Sequence, residues 1–305
     1  MSSQTLVLSP EKIKEMATYY QHYMQSPVPY SIFRAKKNGI VITAYQSGKV
    51  LFQGHGAENE AAIWGTASQK TPSSKTPPTS HLPHDFADWT IIGSDEVGNG
   101  SYFGALTVCA VYLPKEKQPL MKELGVKDSK LLTDKQIIEL AWQIKECVPY
   151  HLTVCSPEKY NEANQTRNAN AIKVSLHNFT LQKLIAKLSD NEKKQLQGIL
   201  IDEFTSEKNY YQYLKNEANP YKGKIYFEKK GESHHLAVAC ASIIARAAFL
   251  ESLTELGKPY NIILPSGAGL NVDQIGRRLV KQFGPKVLDK TAKLHFANTQ
   301  KILGK

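Results

Sequence analysis

Residues 89–113 read WTIIGSDEVGNGSYFGALTVCAVYL. Two apolar runs, TIIG and ALTVCAVYL, flank a turn that holds Gly98, Gly100 and Gly104, and two adjacent acids, Asp95 and Glu96, stand where the first run ends. Short runs rich in Val, Ile and Leu and bounded by glycines read as buried strands. Working outward, residues 151–156 (HLTVCS), 198–204 (GILIDEF) and 225–230 (IYFEKK) repeat the strand signal. Helical patterns occupy 169–188, the interval after 204, and 234–253. Strands first in a meander and then alternating with helices predict an α/β domain, a mixed sheet with helices on its faces.

Upstream, residues 66–88 (TASQKTPSSKTPPTSHLPHDFAD) carry Ser, Thr and Pro and few large apolar groups. That composition cannot bury a core, so an extended linker is expected between a domain at 1–65 and one at 89–305. No internal repeat is evident. In the first domain, residues 10–25 have helical periodicity with a Ser-Pro start. Strand-like runs at 31–36, 39–45 and 49–53 follow, broken at Asn38-Gly39 and Ser47-Gly48, both hairpin signals. The expectation is a small antiparallel sheet plus helix, α+β when the whole chain is taken together. Such a sheet can leave one face open to a partner. Lys36, Lys37 and Lys49 are candidates for that face, with solvated lysines as the default.

The 305 residues are 41% hydrophobic, enough for packed cores rather than disorder. The formal net charge is +10, and residues 273–305 hold eight Lys/Arg against two Asp. Clustered positive charge attracts phosphate backbones without reading sequence, and it equally describes a solvated face. Cys109, Cys147, Cys155 and Cys240 lack CxxC pairing, so neither a zinc site nor a disulfide framework is suggested. Buried reduced thiols in a cytoplasmic protein are expected. No stretch offers the run of about 18 consecutive apolar residues that reads as a membrane helix. The first residues lack the charged region and long apolar core of a secretory signal.

Carboxylates fall at three expected strand ends: Asp95-Glu96, Asp202 after GILI, and Glu232 just beyond IYFEKK. Ligand sites in open α/β sheets gather at strand ends, so these acids could converge. Converging carboxylates repel unless protons or cations intervene, and oxygen-only ligands suit Mg2+ or Mn2+. Each acid also has a structural reading. Asp202 could cap the next helix, and Glu232 could offset the dipole of a helix starting near Ser233. The residues alone leave both readings open.

The residues 93–104 (GSDEVGNGSYFG) resemble the signature of the type 2 ribonucleases H, and more closely that of the ribonuclease HIII group. The resemblance recurs in order. It runs through 126–131 (VKDSKL), 170–173 (NAIK) with 176–178 (LHN), and Ile201-Asp202. It continues at 231–234 (GESH) and 239–246 (ACASIIAR) and ends at 293–296 (KLHF). It therefore spans nearly everything after the linker.

The resemblance implies a ribonuclease H-like fold and metal-dependent endonucleolytic cutting of RNA in RNA/DNA hybrids. It implies Asp95, Glu96, Asp202 and Glu232 as the catalytic, metal-holding acids, with two Mg2+ or Mn2+ ions and products ending in 5′-phosphate and 3′-hydroxyl. Glu at 232 is typical of ribonuclease HIII, where ribonuclease HII carries Asp. The domain before the linker resembles the group's TATA-binding-protein-like, substrate-holding extension. The turn Gly98, Asn99, Gly100, Ser101 and Tyr102 is implied to follow the RNA backbone, where the 2′-hydroxyl distinguishes RNA from DNA. Asn99 departs from the basic residue of ribonuclease HII, so no role there rests on a cationic side chain. Lys130 and Arg246 are candidate phosphate contacts, a structural ion pair being the other reading for Arg246. His177, His234, His235 and His295 lack zinc-ligand spacing and suit hydrogen-bonding or substrate-proximal roles. A monomer with no organic cofactor and no membrane partner is expected. The rivals are ribonuclease HII-like cutting at single ribonucleotides in DNA, a non-catalytic nucleic-acid-binding protein and, more distantly, a DNA-cutting relative on the same fold such as a resolvase or transposase.

Overall fold

In the N-terminal part, alternation of apolar and polar residues builds one twisted sheet. Its strands are β1 (Ser3–Val7), β2 (Met24–Gln25), β3 (Ser31–Lys37), β4 (Ile40–Tyr45) and β5 (Lys49–Gln53), in the antiparallel order β1-β5-β4-β3-β2. Asn38 and Gly39 both have positive φ, 50° and 81°, as a two-residue hairpin between β3 and β4 requires. Phe33, Ala35, Ile42, Ala44, Val50 and Phe52 alternate inward and pack with Ile13 and Met16 of the helix Pro10–Tyr19 and with the helix Ala57–Ala62. The expected helix at 10–25 stops early. Tyr20 is fully buried, receives the Trp64 indole N–H and donates to Glu60, and the chain turns there to pair β2 with β3. The computed structural model describes residues 3–26, 28, 31–46, 48–65 and 82–304. Ser47 and most of the expected linker, 66–81, lie outside the described residues.

The chain divides into two units, Met1–Ser80 and His81–Lys305. The second is built on β6 (Ile91–Val97), β7 (Leu106–Leu113), β8 (Tyr150–Cys155), β9 (Gly198–Asp202) and β10 (Ile225–Glu228), ordered β10-β9-β6-β7-β8. β6, β9 and β10 run parallel, while β7 and β8 are antiparallel to their neighbours. The mixed sheet with helices on both faces expected from the sequence is what forms. Period-2 alternation sends Ile91, Cys109, Val111 and Leu200 to one face, against the helix Leu236–Gly257. Ile92, Ala110, Tyr112, Ile199 and Ile201 face the helix Ala169–Lys187 on the other.

Gly93 makes the first of these contacts possible. A Cβ there would lie 2.3 Å from the backbone of Ala237 and Val238, so strand and helix touch main chain to main chain. The stretch Leu236–Tyr260 has mean hydropathy 1.7 over its most apolar window, long and apolar enough to cross a membrane, which corrects the expectation that no such segment exists. That window is 72% buried inside the unit, as a core helix is. Phe86, inside the expected linker, is also buried, packed on Trp89, Tyr226 and His235, so the folded unit starts before residue 89.

Candidate active site

The parallel pairing of β6 with β9 runs from Ile91↔Gly198 to Ser94↔Ile201, so the next residues, Asp95 and Asp202, stand side by side where that pairing ends, at the carboxyl edge of the parallel strands. β10 ends opposite Asp202, at Glu228. From there the chain passes through Lys230, in the left-handed region at φ 59°, into the turn Gly231–Ser233 that carries Glu232. Asp202 Oδ1 accepts the Gly231 N–H at 2.8 Å, which pins that turn beside the strand end. A side chain at 231 would press on Val238 at 3.1 Å, so glycine lets the turn lie close. The structural readings of the two acids give way here. Ser206, not Asp202, caps the helix Glu207–Leu214, and the helix after Glu232 starts at Leu236 with His235 as its cap.

All four acids line one cleft of about 520 Å³, together with Gly98, Asn99, Gly100, Asp128, Ser129, Lys130, Ser242 and Arg246. Adjacent residues on a strand point to opposite faces, and the two acids of β6 divide accordingly. Asp95 turns toward the Leu236–Gly257 helix, where the Ser242 hydroxyl bonds it. Glu96 turns toward the Ala169–Lys187 helix, where Lys173 Nζ lies 3.2 Å from Oε1 and His177 Nε2 lies 3.1 Å from Oε2. Burial, and then the charges of Glu96 and Asp202, hold the Asp95 carboxyl well above the usual carboxylate range, against the pull of Ser242 and the Glu96 N–H. That repulsion is the penalty a divalent cation removes, so the donor set fits a hard, oxygen-seeking ion. Among the described residues no three His, Cys, Asp or Glu are already drawn into ligand geometry.

The glycine turn beside the acids is braced from behind. Gly98 has φ 99°, and a Cβ there would meet the Ala105 carbonyl at 2.2 Å; at Gly100 a Cβ would meet nothing within 4 Å. Asn99 and Gly100 are exposed. Ser101 and Tyr102 are buried at 4% and 0% exposure, which leaves their backbone as the part that could meet a substrate. The Ser101 hydroxyl donates to Phe103 O and accepts from Gly267 N, and the Tyr102 hydroxyl meets Thr299 Oγ1 at 3.1 Å. Their side chains lock the turn in place rather than face the cleft. Phe103 bridges to Ala292, and Lys293, 1% exposed, donates to Gly104 O at 2.6 Å; burial pushes its amine down to about 7.

Lys130 reaches within 4.0 Å of Glu232 while its side chain stays 78% exposed, leaving it free to swing. Arg246 makes the ion pair expected as its structural reading. It lines the cleft, yet its guanidinium bonds Ser129 O and pairs with Asp134 at 2.8 Å. Among the histidines, His235 caps the core helix, His295 packs on Tyr160, His234 lies 4.0 Å from Glu228, and His177 contacts Glu96. His177 was expected in a hydrogen-bonding or substrate-proximal role, whereas Lys173 was visible beforehand only inside a motif fragment and Ser242 only within the Ala-rich run. Spacing of four marks Lys173 and His177 as sharing a helical face, but nothing local says that the face meets Glu96.

A Ribonuclease HII family model matches residues 92–299, and a Domain of unknown function (DUF3378) matches residues 3–77. The chain is 50% identical to Ribonuclease HIII of Enterococcus faecalis over 295 residues, 96% of each protein. It is 45% identical to Ribonuclease HIII of a Bacillus cereus strain over 296 residues, covering 95% of this chain and 94% of that protein. The solved structure of Bst-RNase HIII in complex with Mn2+ superposes with a TM-score of 0.70 at 37% identity, covering 99% of this chain and 98% of that one. With its fold and nearly its full length shared with these relatives, the chain belongs to the type 2 ribonucleases H and, within them, to the ribonuclease HIII group.

Proposed function

We propose that this protein is an endoribonuclease that hydrolyses the RNA strand of RNA/DNA hybrids. The observation that carries the reading is the meeting of Asp95, Glu96, Asp202 and Glu232, from three strand ends, in one cleft beside an exposed glycine turn. Asp95 and Asp202, side by side, are suited to share coordination, with Glu96 and Glu232 flanking them to complete the shells or orient the attacking water. Two Mg2+ or Mn2+ ions, when bound by these acids, supply charge neutralisation at the phosphate and a more acidic water. The expected products carry 5′-phosphate and 3′-hydroxyl ends.

The chain's own groups select the strand. At Asn99 and Gly100 the backbone can approach the sugar edge closely, where a 2′-hydroxyl gives RNA a donor and acceptor that DNA lacks. Lys130 is placed to follow a phosphate, whereas Arg246 is tied to Asp134 and shapes the wall. The N-terminal unit is read as a substrate-holding platform. On the sheet face away from its core, β3 presents Arg34 and Lys36 beside the exposed Ile32, and β1 presents Val7, 75% exposed. Such a mix of cationic and apolar groups suits a nucleic-acid groove. The protein is proposed to act as a monomer without an organic cofactor. Its four free thiols fit the reducing cytoplasm.

Asp95→Asn and Asp202→Asn test the assignment. Each is expected to abolish cleavage in Mg2+ and Mn2+ while hybrid binding in EDTA persists. Asp95→Asn should also melt higher than the parent in EDTA, because the amide keeps the Ser242 and Glu96 N–H bonds without the repulsion. Full activity in both variants would contradict the reading.

A further inference from the structure

Both oxygens of Glu96 are already engaged by one buried helical face. The side chains of Lys173 and His177 are 4% and 0% exposed. Each is fixed from a second direction as well. Lys173 Nζ sits 4.1 Å over the Phe204 ring, and the His177 ring stacks on the same Phe204 at 5.1 Å. His177 Nδ1 lies 2.8 Å from Ser94 Oγ, one residue short of Asp95 on β6. A lysine this deeply buried is costly to desolvate unless a carboxylate meets it, so Lys173 and Glu96 depend on each other.

We propose that Lys173 and His177 are positioning residues for the hydrolysis: together they clamp Glu96 in one orientation, with Lys173 compensating its charge, and hold it on the opposite face from Asp95. Each carboxylate oxygen has two lone pairs, so the clamp takes one from each and leaves one on each for the cleft. Glu96 is thereby ready as a ligand or water-orienting group before any cation arrives. The inference rests on the reading of Glu96 as a catalytic acid.

The test is an unfolding cycle on the full chain in EDTA, using Lys173→Met, Glu96→Gln and the double variant, joined to Mn2+ calorimetry and steady-state kinetics. Lys173→Met should lower the urea midpoint by stranding a buried carboxylate, and adding Glu96→Gln should restore most of the loss. The same Lys173→Met enzyme should lose about 10- to 100-fold in kcat with an unchanged KM for hybrid. It should bind Mn2+ no more weakly, because a cation has left the site. An equal loss of stability in both backgrounds would reduce Lys173 to packing on Phe204, and weakened Mn2+ binding or an unchanged kcat would also overturn the proposal. If Lys173→Met does not fold, His177→Asn enters the same cycle with the same criteria. Full activity in Glu96→Gln would overturn the catalytic reading itself, and the unfolding cycle would still report whether the clamp exists.

Discussion

Gly93→Ala places a methyl group where there is no room. Its carbon would stand 2.3 Å from Ala237 C and Val238 N and 2.7 Å from Ala237 Cβ, against ordinary contact at 3.4–4 Å. The nearest atoms are backbone, so no side chain can rotate away, and the helix Leu236–Gly257 must retreat from β6 by about 1 Å. Overpacking of this kind costs about 1–3 kcal/mol, and a clash with the helix main chain belongs at the upper end. For a unit of this size that lowers the melting midpoint by roughly 6–12 °C. The same displacement reaches the chemistry. Asp95 lies two residues along β6, and the retreating helix carries Ser242, which bonds it, and Arg246, which lines the cleft. A misplacement near 1 Å can cost about 100-fold in rate. Urea unfolding followed by tryptophan fluorescence gives the first quantity, and single-turnover cleavage of a labelled hybrid gives the second. Stability within about 0.5 kcal/mol of the parent together with an unchanged rate would refute the main-chain contact and its link to the acids.

Two further outcomes are expected. Burial holds His235 down at about 4, below its ordinary 6.5, while its neutral ring accepts the Ala237 N–H and donates to Trp89 O. A depressed folded value means that protons favour the unfolded chain, so stability is full above about pH 6.5 and falls by up to about 3 kcal/mol as pH drops toward 4. His235→Asn, which can cap without titrating, should flatten that acid limb; an unaltered pH profile of the urea midpoint would contradict the assignment. Removing residues 1–80 should weaken hybrid binding in EDTA and make the plot of log K against log salt less steep, since fewer phosphates are neutralised. An unchanged slope would remove the N-terminal sheet from the interface.

What could be read beforehand follows from where the determining contacts lie. Runs such as GILI and LTVCAVYL announce strands by themselves, because being buried on both faces leaves them almost wholly apolar. Asn38-Gly39 announces its hairpin because so few residue pairs tolerate two positive φ values. β1 escaped notice because five residues, SQTLV, become a strand only by pairing with β5, about 45 positions away. The early end of the first helix was hidden for the same reason, since Tyr20 is drawn inward by Glu60 and Trp64. At the site, the four acids could be proposed from their places at strand ends. The inward turn of Ser101 and Tyr102 depends on Gly267 and Thr299, and the engagement of Glu96 depends on a helix some 80 residues on. No local pattern encodes contacts of that range.

The most direct measurement is cleavage of an end-labelled RNA/DNA hybrid in Mg2+, in Mn2+ and in EDTA. It is run beside RNA/RNA and DNA/DNA duplexes of the same sequence and a DNA duplex with one embedded ribonucleotide. Metal-dependent cutting confined to the RNA strand of the hybrid, leaving 5′-phosphate ends, is the predicted result. Binding of the hybrid without cutting in either metal would contradict it and reduce the four acids to a structural cluster, while preferred cutting at the single ribonucleotide would move the protein to a ribonuclease HII-like activity.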